Sequence, residues 1–305
     1  MKFTVILCSY NPFESYLRRT LDGLRAQTLP REQWELILVD NNSTRAIASY
    51  IDWGGLPGRH LTASQQGFTP ALLRGLADAH APVCLLLHDD NVLPPDFLEA
   101  NLRIAQEWPQ LGAWGGGYEP EFETQPSPAV THLLTYLAIH PVTKDRWSNG
   151  LCDYGATPCG AGMAVRTSVL RHWAGLAQND PARRALGRHT NKLTSCEDFD
   201  IAFTAIDLGL GTAVFSHLKL KHLIPGRRLE HDYLLRLIEG HGYSSVHLHS
   251  FRGGVTPPSK GWFQRLRRWR YLRGLSPQAC EVRLALERGE ARAHAELARA
   301  KSTSA

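Results

Sequence analysis

The chain has 305 residues, 43% of them hydrophobic, enough to bury a sizeable core, so disorder along its whole length is excluded. Its 34 basic and 29 acidic residues leave a formal net charge of +5, mild for this length and unlike the concentrated basic footprint of a nucleic-acid binder. Six scattered cysteines without a CxxC pair speak against a zinc knuckle or a dense disulfide framework, and no run of about 18 apolar residues occurs, so a cytoplasmic chain that does not span a membrane is expected.

In chain order, FTVILCSY predicts a buried strand, SYLRRTLDGLRAQ a helix with Leu17, Leu21 and Leu24 on one face, and WELILVDNNS a second strand ending in turn residues. RHLTAS predicts a short third strand, TPALLRGLADAH a helix with Pro70 near its first turn, VCLLLHDD a fourth strand, and PDFLEANLRIAQEW another helix. This alternation implies right-handed crossovers and a mostly parallel sheet covered on both faces, an α/β architecture in which ligands sit beyond the carboxyl ends of the strands. Polar clusters fall at three such ends, Ser9 to Asn11, Asp40 to Ser43 and Asp89 to Asn91, and should converge on one edge. The second half is less regular. GAWGGGYEPEF reads as extended, VTHLLTYLAIHP as helical, CGAGMAVRTSVL as a strand entering a helix, and EDFDIAFTAIDLG as a helix with Phe199, Phe203 and Ile206 inward and Gly209 as its stop. AVFSHLKLKHLIP alternates like a strand, VTPPSKG reads as a linker, and two charged helices follow. The expected division is 1–254 as one α/β domain, split near 118, and 255–305 as a linker and helical extension.

Asp89 and Asp90 raise a physical question, because like charges about 5 Å apart repel by roughly 3 kcal/mol at an effective dielectric of about 20. A divalent cation would relieve that, and oxygen ligands suit Mg²⁺ or Mn²⁺, which bind one or two carboxylates and complete their shell with phosphate and water. A helix cap or a solvated turn explains the pair equally well in isolation. Asp40 in LILVDNNS can accept a base N–H or a ribose hydroxyl, or close an Asx turn. SCEDFDIAF offers Glu197, Asp198 and Asp200 at a helix start, where capping accounts for one of them. KLKHLIPGRRL offers His222 as a metal or phosphate ligand and Arg227 and Arg228 as anion partners. The PCGAGM turn lets backbone approach a ligand closely, or simply makes a tight strand entry.

Taken together, SYNP, VDNNS, HDDN, the ED pair and the late histidine resemble the inverting nucleotide-sugar glycosyltransferases of family 2, with the GT-A fold, over roughly residues 2 to 250. The resemblance implies a Rossmann-like GT-A sheet flanked by helices and a nucleotide pocket at Cys8, Ser9, Tyr10, Asn11 and Asp40. It implies Asp90, with Asp89 beside it, and His222 as holders of Mn²⁺ or Mg²⁺ against the diphosphate. Asp198 falls on the family's catalytic base, with Glu197, Gly160 and Gly162 toward the acceptor. The implied donor is a nucleoside-diphosphate sugar, UDP favoured, and the implied acceptor a glycan or lipid-linked glycan hydroxyl. Two departures stand out: His88 occupies the first acidic position of the metal motif, and in GFTPALLRG the arginine expected to meet the diphosphate falls on Arg74. A nucleotide-sugar binding protein without turnover is the alternative His88 keeps open. A sugar nucleotidyltransferase would want a glycine-rich basic loop after strand one, and a nicotinamide enzyme GxGxxG, where this chain has SYNPFES.

Beyond residue 255, Trp262, Phe263, Leu266, Trp269 and Leu272 interleave with Arg265, Arg267, Arg268, Arg270 and Arg273. A basic aromatic helix of this kind suits an anionic membrane surface through 262–273, or docks its aromatics on the enzyme core.

Overall fold

The structure, a computed structural model, describes residues 1–139, 141–189, 192–254 and 261–303. The expected linker at 255–260 lies outside the described residues. Strand β1 (Phe3–Ser9), helix α1 (Glu14–Arg25), strand β2 (Trp34–Asp40), strand β3 (Gly58–Thr62), helix α2 (Phe68–Ala77) and strand β4 (Val83–His88) follow the alternation read from the sequence. A two-residue strand β5 (Asn91–Val92), helix α3 (Phe97–Glu107) and the long strand β6 (Leu111–Phe122) come next. Then follow β7 (Arg146–Ser148), β8 (Met163–Arg166), α4 (Thr167–Asn179), α5 (Pro181–Arg184), α6 (Glu197–Asp207) and β9 (Gly211–Ile224). Helices α7 (His231–Ser250), α8 (Trp262–Arg273) and α9 (Pro277–Thr303) complete the chain.

Among the described residues one sheet runs in the order β3-β2-β1-β4-β8-β6-β9-β5, with β7 paired to β9. The first four strands are parallel, in register Ser9 to Asp40 and Cys8 to His88, so their carboxyl ends lie level. Strand β8 then enters antiparallel to both β4 and β6, while β6 and β9 run parallel. The mostly parallel sheet that was expected is thus parallel in its first half and mixed in its second.

β1, β2 and β4 are buried along almost their full length because both faces are covered, and period-two alternation sorts their side chains. Val5, Leu7, Leu36, Leu38, Leu85 and Leu87 pack against Leu17, Leu21 and Leu24 of α1 and Phe97, Leu98 and Ile104 of α3. Ile6, Ile37, Val39, Cys84 and Leu86 face the other way, toward Leu72 and Leu76 of α2, Leu170 and Trp173 of α4, and Ile201, Ala202 and Ala205 of α6. At roughly 1.5–3 kcal/mol per buried large aliphatic side chain, these two layers hold the strand ends in place.

Three local details refine the reading. Residues 128–137, expected to be helical, wind as a 3-10 helix, ending at Ala138 in the left-handed region (φ 59°). The inward face of α6 is Ile201, Ala202 and Ala205, whereas Phe199, Phe203 and Ile206 pack with Leu248 on the side away from the sheet. Helix α7, whose apolar stripe is broken in the sequence by Gly240, Gly242 and several histidines, buries Leu234, Leu237 and Ile238. No helix among the described residues is long and apolar enough to cross a membrane.

Candidate active site

A cavity of about 830 Å³ opens at the carboxyl ends of β1 and β4. Its floor comes from Cys8, Ser9 and Tyr10 after β1 and from His88, Asp89 and Asp90 after β4; its far wall comes from Cys159, Gly160 and the first turn of α6. His222 of β9, Arg227 and Arg228 just after it, and Tyr233 and His241 of α7 close a third side.

Pairing of β5 with β9 sets Asn91 opposite His222, and Leu223 N donates to Asp90 O at 2.8 Å. This brings His222 Nε2 to 3.6 Å from Asp90 Oδ2, which also accepts from Arg228 Nη1 at 2.8 Å. Asp89 instead accepts from Ser9 Oγ at 2.5 Å. The two neighbouring carboxylates are thereby driven apart. Burial, and then the charge of Asp90, push the Asp89 carboxyl up to about 7 against the Ser9 bond. Burial would raise Asp90 as well, but Arg228 and then His222 outweigh it and hold that group well below the usual carboxylate range. Burial lowers His88 to about 4, so it is a neutral imidazole near neutral pH, edge-on to Phe68 with ring centroids 5.4 Å apart.

On the opposite wall, Asp198 sits in the first turn of α6. Its Oδ1 accepts from Phe199 N and its Oδ2 from Gly160 N, each at 2.8 Å. A Cβ on Gly160 would lie 3.2 Å from the Asp198 Cβ, so the bare backbone is what lets that N–H approach. Burial raises Asp198 despite the two N–H donors. Glu197, with a buried Oε2 that has no hydrogen-bond partner, is pushed up to about 8 by burial and then by Asp198. Both adjacent carboxyls therefore have raised proton affinity, and both line the cavity. Tyr118, whose hydroxyl donates to Ala161 O at 2.6 Å, stands between the two acidic groups: burial first, then Cys159, Asp198 and Asp90, raise it well above its ordinary value.

Helix α6 is anchored two residues farther on. Asp200, fully buried, accepts from Trp173 Nε1 at 2.9 Å, from Arg183 Nη1 at 2.8 Å and from Arg252 Nη1 at 2.7 Å. Asp200 thus serves a clamp joining α4, α5, α6 and the end of α7, not the cavity.

The expected site residues divide. Cys8, Ser9, Tyr10, His88, Asp89, Asp90, Gly160, Glu197, Asp198, His222 and Arg227 all line the cavity. Asn11, Asp40, Arg74 and Gly162 do not. Both Asp40 oxygens accept backbone N–H groups, from Ser43 at 2.8 Å and Ile47 at 2.9 Å, so the turn-closing alternative is the one adopted, and Asn41 lines the cavity in its place. Asn11 accepts from Thr44 N at 2.8 Å and holds the same loop. Arg74 points along α2 to Asp78 at 3.3 Å, because Leu72 and Leu76 must face the sheet. Gly162 adopts φ +71°, and a Cβ there would lie 2.4 Å from Leu220 Cδ2, so it makes the tight entry to β8. Arg188, Tyr118, Tyr233 and a structurally committed Arg228 join the site. Arg228 was visible only as one of two adjacent arginines; the others carried no local signal.

A divalent cation can be tested against these groups. Asp90 Oδ1, His222 Nδ1 and His88 Nε2 are buried without hydrogen-bond partners, while among the described residues no three His, Cys, Asp or Glu gather closely enough to hold an ion by themselves. One uncommitted carboxylate oxygen beside imidazole nitrogen fits an ion whose remaining ligands are phosphate oxygens and water.

The chain resembles solved glycosyltransferase structures at low identity. A mannosyltransferase, PcManGT from Pyrobaculum calidifontis in complex with GDP-Man and Mn²⁺, is 19% identical with a TM-score of 0.55, over 99% of this chain and 80% of that one. TarS 1-349 from S. aureus in complex with UDP is 15% identical with a TM-score of 0.52, over 96% of this chain and 89% of that one. At such identities the likeness concerns the fold. No curated protein matches the sequence. The sequence model of the family described as Glycosyl transferase family 2 matches residues 4–172. That match covers more than half of the chain, including the strand ends that carry Ser9 and Asp90, and the chain belongs to glycosyl transferase family 2: it is a glycosyltransferase of GT-A fold.

Proposed function

We propose that the enzyme transfers a sugar from a nucleoside-diphosphate donor, a UDP-sugar, to a hydroxyl of a glycan or glycolipid acceptor by one in-line displacement that inverts the anomeric carbon. The observation that carries this reading is that Asp198 and Asp90 face one cavity from opposite walls, with Tyr118 between them. Asp198 accepts the acceptor hydroxyl proton as that oxygen bonds to the anomeric carbon, while the bond to the diphosphate breaks and the leaving oxygen keeps the electron pair. Gly160 N–H and Phe199 N–H hold the carboxylate in orientation. Arg188, Arg227 and Arg228 supply positive charge around the place where the diphosphate would lie. Mn²⁺ or Mg²⁺, held by Asp90 with His222, would neutralise the charge of the departing diphosphate.

UDP is the ligand of the TarS complex and GDP-Man that of the archaeal mannosyltransferase, so the carrier is a matter for direct test. The cavity draws on both expected halves of the chain, 1–118 and 119–254. Six unpaired cysteines suit a cytoplasmic enzyme. The deciding experiment is thermal shift and calorimetry with UDP, GDP and dTDP, with and without Mn²⁺, alongside transfer by Asp198→Asn. Loss of transfer with nucleotide binding retained supports the assignment, and normal turnover by that variant would sink it. Asp90→Ala should lose the Mn²⁺-dependent part of UDP affinity.

A further inference from the structure

Helix α8 places five arginines and no acidic residue in its 12 positions, and its large apolar side chains lie in solvent. Trp262 is 67% exposed, Phe263 68%, Leu266 44%, Trp269 49% and Tyr271 54%, a concentration found in no other segment of the described residues. The docked arrangement, in which these aromatics cover the enzyme core, is therefore not the one adopted. Trp262, Leu266 and Trp269 recur at helical spacing and share one face.

An ion pair links α8 to α9. Arg268 binds Glu287 of α9 at 2.6 Å, and Glu287 also accepts from Arg283 Nε at 3.1 Å. Helix α9 is in turn seated on α7 at backbone contact: a Cβ on Gly289 would fall 1.9 Å from Glu239 O, and Ala285 and Ala293 are fully buried. Helix α9 is thus packed on α7 and linked to α8 through Arg268, while the aromatic stripe of α8 stays in solvent. Among the described residues, Arg265, Arg267 and Arg270 have no carboxylate within ion-pair distance, so most of the positive charge of α8 is uncompensated.

We propose that α8 is a lipid-binding surface that seats the enzyme on an anionic bilayer, with the Trp262–Leu266–Trp269 stripe at the headgroup–acyl boundary and Arg265, Arg267 and Arg270 against the lipid phosphates. The charge complementarity suits any polyanion, but the apolar content selects lipid. The stripe includes an aliphatic residue, Trp262 and Phe263 pack on one another at 3.8 Å between ring centroids, and Arg273 covers one face of Trp269 at 4.1 Å. Those ring faces are the ones a stacking nucleobase would need. The helix that α8 is linked to reaches a segment bordering the cavity. Glu281, early in α9, meets His132 at 3.2 Å, and the 3-10 segment holding His132 continues into cavity-lining residues Thr135 to Leu137.

The test is sedimentation of the full chain with vesicles of phosphatidylglycerol and phosphatidylcholine, and with phosphatidylcholine alone. The expected result is pelleting with the anionic vesicles only, reversed by high salt. Two variants, Trp262→Ala with Leu266→Ala and Trp269→Ala, and Arg265→Gln with Arg267→Gln and Arg270→Gln, should each weaken partitioning by about tenfold or more. Their thermal stability and their shift with UDP and Mn²⁺ should match the unaltered chain, which separates this surface from the reading of the cavity. A full chain that stays in the supernatant, or variants that pellet as it does, would overturn the proposal. So would polyuridylate displacing the protein from vesicles at equal phosphate, an outcome that would make α8 a nucleic-acid surface.

Discussion

Replacing Asp200 by Asn should loosen the helix that carries Asp198 without touching the cavity. The Asp200 side chain is 1% exposed, and its partners Arg183 and Arg252 are 9% and 10% exposed. An amide puts a donor where one oxygen now accepts, and removes the charge that two buried guanidinium groups share. What remains is partial: Arg252 keeps Asp207 at 2.8 Å, and Arg183 keeps only Asp180 at 3.8 Å, both acids about 40% exposed. Removing one partner of a buried ion pair costs about 3–5 kcal/mol, against about 0–1 kcal/mol for an exposed pair. In a chain of this length about 1 kcal/mol moves Tm by roughly 2 °C, so a fall of about 6–10 °C is expected. Differential scanning fluorimetry reads it, with Arg18→Ala as the control, because that arginine pairs with Glu14 at an exposed site. Transfer rate should fall while UDP affinity changes little, since Phe199 N–H and Gly160 N–H orient Asp198 only if the first turn of α6 holds. A Tm loss no larger than the control's would refute the clamp.

The Glu197 carboxyl, raised to about 8, binds a proton in the native state that the unfolded chain has released, so its contribution is full below about pH 4.5 and is lost as pH rises through 8. Glu197→Gln should therefore flatten the decline of Tm between about pH 5 and about pH 9, and parallel curves would reject the assignment. Arg74→Ala should leave nucleotide affinity unchanged in calorimetry while Arg188→Ala weakens it severalfold; the reverse ranking would restore the sequence expectation. Gly162→Ala, strained at φ +71° and crowded by Leu220, should destabilise the fold by about as much as a buried large-to-small change, roughly 2–4 kcal/mol, read as a fall in Tm, and a neutral result would contradict the tight turn.

Local pattern served best in the first half because β1, β2 and β4 are aliphatic runs covered on both faces, and α1, α2 and α3 each show an apolar stripe. Such signals are carried by neighbours in sequence. The carboxyl-end polar clusters were legible for the same reason: Ser9 and Asp90 follow directly from where β1 and β4 stop. In the second half the signals fade. The 3-10 winding of 128–137, the antiparallel entry of β8 and the existence of α7 depend on contacts with distant segments, and α7 hides its helical period behind glycines whose role is close approach to Leu193 and Leu286.

The residue types available for chemistry, and the order in which strand ends present them, were written in the chain itself, since periodicity and turn residues are local properties. Which of them meet was decided only by the fold. A carboxylate's role follows from what fills its lone pairs: backbone N–H groups at Asp40, guanidinium groups at Asp200, Arg228 on one oxygen of Asp90, and at Asp198 two N–H groups that leave it facing the cavity. Some of those partners are sequence neighbours, as at Asp40, but those of Asp200 and Asp90, and Gly160 at Asp198, arrive from 17 to 138 residues away, where no local spacing encodes them.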